Sequence, residues 1–408
     1  QMPPDGPVEF MSEDFRKLFR HAVVEADRLG MKIDMNNADG FTGSGGPWVP
    51  VEKSMKKLVW TETHLSGARS ISEKLPQPET VLDFYRDVAV VAFPRQQSLV
   101  EQMKAAGVAF SAPADNFRPA AMADGDPRTR TPIWQPANGG MPTLLVSFDE
   151  PYTADTLVLQ GLNIGRGRPD AMLHTSDDGR SFRPVGNVCL KWYPAAPTNT
   201  VRFDACTARH FRLSFAANSP QVSVGEVALG RSNKVHYWEP KSGFTRYGEW
   251  GAGFHLFAER KATPAAGPAA NESPASADEA PAIPAAKVLD LSRSMDRDGT
   301  LSWQAPAGDW TVLRIGYTST GIKNHPASAG GHGLECDKLH PSGVEAAFNG
   351  MLKRLIDTTS GYVGRSFSHA HIDSWEVGIQ NWTEGMAQTF EERNGYDLTP
   401  FYPLLVAG

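Results

Sequence analysis

Apolar side chains recur at helical spacing near the start of the chain, and Ser12 is placed to cap the helix that they predict. Gly30 can close this helix in the left-handed conformation. An apolar strand over 31–35 and a glycine-rich loop over 36–48 follow at once. A helix leading into a short strand whose carboxyl end opens into an elaborate loop is the repeating unit of a (β/α) barrel. The apolar helical positions are Phe15, Leu18, Phe19, Ala22, Ala26 and Leu29.

The same pattern returns near the end of the chain. Ser342 and Glu345 match a capping box ahead of a helix predicted over 344–356. A strand around 366–372 follows, and Thr383 can cap a further helix that stops at an Asn-Gly pair. The sequence therefore predicts two barrel segments that are separated by a long central region of the chain.

The middle of the chain has a different pattern. Short apolar runs separated by turn signals such as "SDDGRSF" predict a β-sandwich over 112–230. A second β region follows, with hairpin-like turns at Asp298-Gly299 and Gly308-Asp309. Between the two β regions, residues 262–286 are rich in Ala and Pro and predict a flexible loop.

We therefore predict an α/β plus all-β fold, in which a partial (β/α)8 TIM-type barrel is interrupted by a β-sandwich insert and an additional β region. Residues 1–95 form a barrel segment and the start of a β region, and 96–230 form the insert. Residues 231–325 form the additional β region with its flexible loop, and 326–408 form the second barrel segment.

Composition narrows the function classes. A chain of 408 residues has room for two or three domains. Its formal charge of −6, without a Lys/Arg cluster, argues against a nucleic-acid partner. It contains no run of about 18 apolar residues that predicts a membrane span. The sequence opens on Gln1 without a charged and then apolar leader, so we expect any secretion signal to lie outside it.

The three cysteines, Cys189, Cys206 and Cys336, match neither a metal-binding spacing nor a disulfide framework. Cys189 and Cys206 fall in the same predicted β region, where they could pair or remain two buried thiols. The cysteines therefore do not indicate whether the protein is located in a reducing or an oxidising compartment.

Asp373 and Glu376 are the sharpest candidates for catalysis. They follow the predicted strand 366–372, and the carboxyl ends of barrel strands carry reactive groups in this architecture. Trp375 and Trp382 offer apolar faces on which sugar rings stack, and such surroundings raise the pKa of a carboxyl group toward that of a general acid. The alternative is that Glu376 caps the following turn and the two tryptophans belong to the core.

The segment "GGHGLECDKL" is the second candidate. Strand alternation would send Glu335 and Asp337 to the same side, with His332 and Lys338 nearby. Such a set could bind hydroxyl groups or a hard cation. The alternative is an ordinary surface ion pair between Lys338 and Asp337.

The loop "FTGSGGPW", residues 41–48, lacks the lysine and the spacing of a phosphate-binding loop. Its glycines permit a tight backbone path that could present Trp48 to a pocket. A purely structural turn is the alternative.

In the insert, Asp124 and Asp126 flank a glycine in "ADGDPRT". This turn could bind a structural calcium ion, or its two carboxylates could simply be solvated.

These motifs together resemble the α-L-rhamnosidases of glycoside hydrolase family 106. The matching segments include "GMKIDMNNADGFTGSGGPWV", "KLVWTE", "FYRDVAVVAFP", "GDWTVLRIGYTSTG", "GLECDKL" and "HIDSWEVGIQNWT", in the order of the family. They span nearly the whole chain outside residues 96–230 and 262–286. The insert separately resembles a galactose-binding, discoidin-type β-sandwich through segments such as "LHTSDDGRSFRPV" and "ARHFRLSF".

The resemblance implies hydrolysis of terminal α-L-rhamnose with inversion, at a (β/α)8 barrel with Ca²⁺ in the active site. Inversion requires a general acid and a general base about 6.5–9.5 Å apart. Glu376 matches a catalytic glutamate of the family and is assigned as the general acid, although the two roles could be exchanged. Asp373 matches the acidic residue three positions earlier. The substrate-binding residues that we expect are Glu335, Asp337, Lys338, His371, Trp48 and Trp382.

Similar proteins carry a second catalytic glutamate downstream of the D-x-x-E segment, so we expect this chain to be an internal fragment that is inactive by itself. The metal ligands are not assigned. The expected partner is a rhamnose-containing glycoside or polysaccharide, and the expected location is extracytoplasmic, either periplasmic or secreted. Two alternatives are an exo-glycosidase of different sugar specificity and a non-catalytic carbohydrate-binding module.

Overall fold

The protein is described by a computed structural model that divides into two compact units. Unit 1 comprises Gln1–Ala92 and Leu289–Pro400, and unit 2 comprises Phe93–Val288 and Phe401–Gly408. No helix among the described residues is long and apolar enough to cross a membrane. The structure describes residues 6–40, 42–134, 142–162, 170–189, 198–215, 221–236, 238–244, 282–372 and 374–407.

The described helices are α1 (Glu13–Arg28), α2 (Leu99–Ala105), α3 (Trp238–Lys241), α4 (Pro341–Gly350), α5 (Leu352–Thr358), α6 (Met386–Asn394) and α7 (Tyr402–Ala407). The described strands are β1 (Ile33–Asn36), β2 (Gly45–Gly46), β3 (Lys56–Ser66), β4 (Arg69–Lys74), β5 (Arg86–Pro94), β6 (Ala109–Ser111), β7 (Thr131–Trp134), β8 (Thr143–Gln160), β9 (Asp170–Ser176), β10 (Arg183–Cys189), β11 (Asn199–Phe215), β12 (Gln221–Val224), β13 (Glu226–Gly230), β14 (Leu289–Asp290), β15 (Thr300–Ala305), β16 (Asp309–Ser319), β17 (Leu334–Glu335) and β18 (Phe367–His371).

Helix α1 forms as predicted, because its local signals agree with one another. The Ser12 hydroxyl accepts a hydrogen bond from the Phe15 N–H, and Gly30 adopts the left-handed φ of +68° just beyond the helix. Its buried side chains, Val23 among them, pack with α5 and with Phe367 of β18. This apolar layer supports the strands that lead to the candidate site.

Strands β1 and β18 pair in parallel, with Asp34 opposite His369. Ile33, Met35 and Phe367 pack into the apolar layer, whereas Asp34 and His369 are exposed. Two neighbouring parallel strands with helices packed on their apolar side chains are compatible with a barrel. Closure into a (β/α)8 barrel stays a prediction.

Two predicted helix caps are wrong. Helix α4 is capped by His340, whose ring nitrogen accepts from the Ser342 N–H, rather than by a capping box at Ser342 and Glu345. Thr383 does not cap α6, which begins after Gly385, because the Thr383 hydroxyl donates instead to Asp337. In both places a tertiary or neighbouring partner displaces the local capping pattern.

The helix predicted over 344–356 is in fact two helices, since the backbone breaks at Met351 between α4 and α5. Gly350, the last residue of α4, packs against the indole of Trp48, and a Cβ at Gly350 would overlap that ring. The stop of α6 at Gly395, with φ of +76°, is confirmed.

The antiparallel part of unit 1 contains a sheet in the order β14-β5-β16-β3 and the pair β15-β4. The predicted turn at Asp298-Gly299 is present, because the Asp296 N–H donates to the Thr300 carbonyl at 3.0 Å. Gly308-Asp309 joins β15 to β16, but these strands pair with β4 and β3 rather than with each other. The predicted β-hairpin there is therefore wrong.

Unit 2 contains antiparallel sheets that share one apolar core. The larger sheet has the order β10-β9-β11-β8-β13, with β6 also paired to β8, and β12 pairs with β7. Ile133 of β7, Val222 of β12 and Leu144 of β8 lie in the same core, as a β-sandwich requires. The boundaries predicted for this insert, 96 and 230, stay predictions.

Cys206 is a free, half-buried thiol, so the pairing considered with Cys189 is not formed. Burial raises the pKa of the Cys206 thiol to about 11. Cys336 is also free and is buried in unit 1. Residues 262–281 of the predicted flexible loop lie outside the described residues.

Candidate active site

The carboxyl ends of β1 and β18 lie side by side, because the two strands are parallel neighbours. The Asn37 N–H donates to the His371 carbonyl at 2.8 Å and extends the pairing past the end of β1. The glycine-rich loop leaves β1 at this edge, and the segment that carries Glu376 leaves β18 at the same edge. Parallel α/β sheets place their functional loops at this edge.

The glycine-rich loop surrounds Glu335. Strand β2, formed by Gly45 and Gly46, pairs antiparallel with β17, which contains Glu335. A Cβ on Gly45 would lie 2.8 Å from a carboxylate oxygen of Glu335, so only glycine permits this approach. The hydroxyls of Thr42 and Ser44 donate to that carboxylate at 2.9 and 2.7 Å. The loop therefore has the tight path that was predicted for it.

Glu335 is completely buried and its carboxylate has donors on both oxygens. The Lys338 ammonium lies 2.7 Å from the oxygen that also accepts from Ser44. An opposite charge and hydrogen bonds thus take the place of water around this buried carboxylate. As it stands, this side chain organises the site from inside rather than facing a ligand.

Asp337 is also buried, with 1% exposure, and its donors come from three separate segments. The Lys56 ammonium lies 3.3 Å from Oδ2, and the Thr383 hydroxyl donates to the same oxygen at 2.7 Å. The Gln380 side-chain amide and the Leu339 N–H donate to Oδ1. Lys56 also donates to two backbone carbonyls at 2.8 Å.

The alternative of a surface pair between Lys338 and Asp337 is therefore wrong. Lys338 pairs with Glu335, and Asp337 pairs with Lys56, and both carboxylates are buried. Donors from β3 and from the segment after β18 occupy the Asp337 carboxylate. Lys338 pairs instead with Glu335, three positions earlier in the chain.

Trp375 is the aromatic side chain that faces outward at this place. It is 49% exposed, and its indole N–H donates to the Gly378 carbonyl at 2.9 Å, which fixes the ring. The Lys338 ammonium lies 4.9 Å from the ring centroid, within the range of a cation–π contact. Trp382, in contrast, is 3% exposed and belongs to the interior, as one of the sequence alternatives held.

Glu376 follows Trp375 directly and is half-buried. Its carboxylate forms no hydrogen bond or ion pair with any residue that the structure describes. Asp373, the other predicted catalytic residue, lies outside the described residues. Glu376 thus differs from Glu335 and Asp337, whose carboxylates have internal partners.

The remaining predicted site residues lie at the edges of this arrangement. His371 is exposed at the end of β18. Trp48 is half-buried over Gly350, and its indole N–H is buried without a hydrogen-bond partner among the described residues. Sequence reasoning missed the donors Thr42, Ser44, Lys56, Gln380 and Thr383. Each is an ordinary polar residue whose role depends on a partner far away in the chain.

Glu335 and Asp337 do not fit a calcium site. Glu335 and Asp337 each accept from an ammonium group and from neutral donors, so their oxygens are not available to a cation. Across the described ranges no group of three or more His, Cys, Asp or Glu side chains is placed to hold a metal. In the insert, Asp126 pairs with Arg128 at 2.9 Å.

Comparisons with known proteins identify a family for this chain. The model of glycoside hydrolase family 106, described as alpha-L-rhamnosidase, matches residues 2–408. The structure of a rhamnosidase from Novosphingobium sp. PP1Y is 28% identical with a TM-score of 0.77, covering 99% of this chain and 37% of that chain. A protein of Formosa agariphila named "Putative beta-glucuronidase" is 25% identical over 402 residues, 98% of this chain and 22% of its own length. The chain thus spans well under half of both relatives.

Proposed function

Because the chain belongs to the α-L-rhamnosidases of glycoside hydrolase family 106, we propose that it contributes Glu376 to the acid/base pair of an enzyme that releases terminal α-L-rhamnose with inversion. The supporting observation is the state of Glu376. It lies beyond the carboxyl end of β18, half-buried, and its carboxylate has no internal partner among the described residues. A carboxyl group that must exchange a proton with a substrate needs this availability.

In the proposed mechanism Glu376 is the general acid that protonates the leaving glycosidic oxygen. A second carboxylate, about 6.5–9.5 Å away, activates the water that attacks the opposite face of the sugar. Asp373 is proposed to orient Glu376 or tune its charge. The second carboxylate is not assigned to a residue of this chain, and the acid and base roles could be exchanged.

The surroundings of Glu376 support a neutral sugar as substrate. The exposed ring of Trp375 offers an apolar face for a sugar ring, and rhamnose adds a methyl group in place of a hydroxymethyl. Lys338 and Lys56 are each already paired with a carboxylate, so neither is available to neutralise a uronate. This balance favours a rhamnoside over the glucuronide that the name of the Formosa agariphila protein suggests.

The roles of the other predicted contacts change under this proposal. Lys338, Trp48 and His371 remain proposed contacts to the sugar. Glu335 and Asp337 are proposed to hold the site in shape, and Trp382 is proposed as part of its supporting core. Calcium remains a proposal from the family, with ligands other than Glu335 and Asp337, and removal of calcium with EDTA tests it through activity.

The (β/α)8 barrel, an extracytoplasmic location and the inactivity of the 408-residue chain by itself also remain proposals. The family supports the first two. The third is supported by coverage, because the chain aligns with only 37% of the rhamnosidase from Novosphingobium sp. PP1Y.

Hydrolysis of p-nitrophenyl α-L-rhamnoside by the native polypeptide that contains this chain tests the function. Glu376→Gln should lower kcat by about 10²–10⁴-fold. Glu391→Gln, a matched change at an exposed position of α6, should leave kcat unchanged. Near-normal kcat in Glu376→Gln would refute the assignment.

A panel of aryl glycosides that includes the β-glucuronide decides the sugar. Faster turnover of another glycoside would favour an exo-glycosidase of different specificity. Saturable binding of rhamnose by the native polypeptide without turnover, measured by calorimetry, would favour a carbohydrate-binding protein.

A further inference from the structure

We infer that Asp337 and Lys56 form a buried positioning pair that holds the segment carrying Glu376 in place. We name residues 374–383 the acid segment. The inference rests on the proposed function of Glu376, and it assigns Asp337 a task different from the substrate contact expected from sequence. The Asp337 carboxylate accepts hydrogen bonds from the acid segment at two points, and it also pairs with the Lys56 ammonium.

The two attachment points lie on the C-terminal side of Glu376. The Gln380 side-chain amide donates to Asp337 Oδ1, and the Thr383 hydroxyl donates to Oδ2 at 2.7 Å. The Gln380 side-chain oxygen also accepts the Lys338 N–H at 3.1 Å, so this side chain is held at both ends. Both residues are buried, and water does not compete for these hydrogen bonds as it would at the surface.

The backbone of Asp337 is fixed as firmly as its carboxylate. Its N–H donates to the Lys53 carbonyl at 2.7 Å. Gly343 of α4 packs against it so closely that a Cβ there would lie 2.8 Å from the Asp337 Cβ. The acid segment is therefore attached to a point that has little freedom to move.

Lys56 explains why a carboxylate can serve as this point. Its ammonium has three N–H groups and three acceptors, namely the carbonyls of Glu52 and Ser54 at 2.8 Å and Asp337 at 3.3 Å. Its side chain is 3% exposed, so the pair is closed to solvent. With two donors on each oxygen, Asp337 has no hydrogen-bonding capacity left that a sugar would need.

The consequence for catalysis is geometric. A displacement of about 1 Å at a reacting group can cost about 10²-fold in rate, because the reacting atoms leave the attack geometry. Loosening the acid segment should therefore lower kcat for the rhamnoside more than it raises KM. A residue that contacts the sugar in the ground state would raise KM instead.

Thr383→Val is the sharpest perturbation, because it keeps the shape of the side chain and removes the hydroxyl that reaches Asp337. Thr383→Ser restores a hydroxyl, and Thr389→Val makes the same change at an exposed position of α6. We expect Thr383→Val to lower kcat by about tenfold or more with a smaller change in KM. Thr383→Ser should recover most of the lost kcat, and Thr389→Val should have the same kcat and KM as the unsubstituted enzyme.

Amide hydrogen exchange of residues 374–383 is the second measurement, made on the 408-residue chain without substrate. Exchange should be faster in Thr383→Val than in Thr383→Ser or the parent chain. Unchanged exchange, or a rise in KM with normal kcat, would overturn the inference. If the parent enzyme cleaves no rhamnoside, the proposed function fails, while the exchange measurement still decides whether Thr383 holds the acid segment.

Discussion

Replacement of Asp337 by alanine should strongly destabilise unit 1. The change leaves the Lys56 ammonium buried and unpaired, and four donors lose their acceptor. Removing one partner of a buried ion pair costs about 3–5 kcal/mol, because the other charge stays out of water without compensation. In a domain of 150–250 residues each kcal/mol lowers Tm by about 2–4 °C, so we expect a decrease of about 6–20 °C.

Differential scanning calorimetry of the 408-residue chain measures this decrease. The matched control is Asp357→Ala, since Asp357 pairs with Lys353 at 2.9 Å on the surface of α5. Exposed pairs at this helical spacing contribute only about 0.3–0.5 kcal/mol, so the control should hardly shift Tm.

The double variant Lys56→Met with Asp337→Leu separates burial of a charge from loss of packing. Replacing both charges by apolar groups of similar volume is often close to neutral, so the double variant should be more stable than Asp337→Ala. Equal Tm decreases in Asp337→Ala and Asp357→Ala would refute the reasoning that Lys56 depends on Asp337.

Two further predictions concern packing and pH. Gly350→Ala should lower Tm by an amount that corresponds to about 1–3 kcal/mol, because the new Cβ overlaps the Trp48 indole. The control Gly361→Ala should leave Tm unchanged, because a Cβ at Gly361 meets nothing within 4 Å. Equal shifts of the two variants in thermal unfolding would contradict this reasoning. Burial, with help from the Arg212 charge, lowers the pKa of His174 in unit 2. In an NMR titration its imidazole should therefore have a midpoint below 6.5. The neutral His174 side chain contributes fully to the free energy of unfolding above the unfolded pKa near 6.5, and this contribution should be lost as the pH falls below that value. Arg212→Gln should move the titration midpoint back toward 6.5, and a midpoint at or above 6.5 in the parent chain would show the reasoning to be wrong.

Most elements near the site could be predicted from sequence, because their signals are local. The capping hydroxyl of Ser12, the left-handed Gly30 and the strand ahead of Glu376 each depend on neighbours within a few residues. The resemblance to the rhamnosidase family, based on ordered motifs, is confirmed. At Thr383 the local signal gives the wrong prediction. Its hydroxyl is suited to capping a helix, but in the folded chain it donates to Asp337.

The sequence by itself determined helix α1, the parallel strands β1 and β18, the glycine-rich loop, the family and the candidacy of Glu376. The tertiary structure decided which charges are paired and which carboxylate remains available. Lys56 and Asp337 are separated by 281 positions, and Thr42 and Glu335 by 293. No local pattern encodes such pairs, because they form only when distant segments are brought together in a buried place where each charge must find its partner.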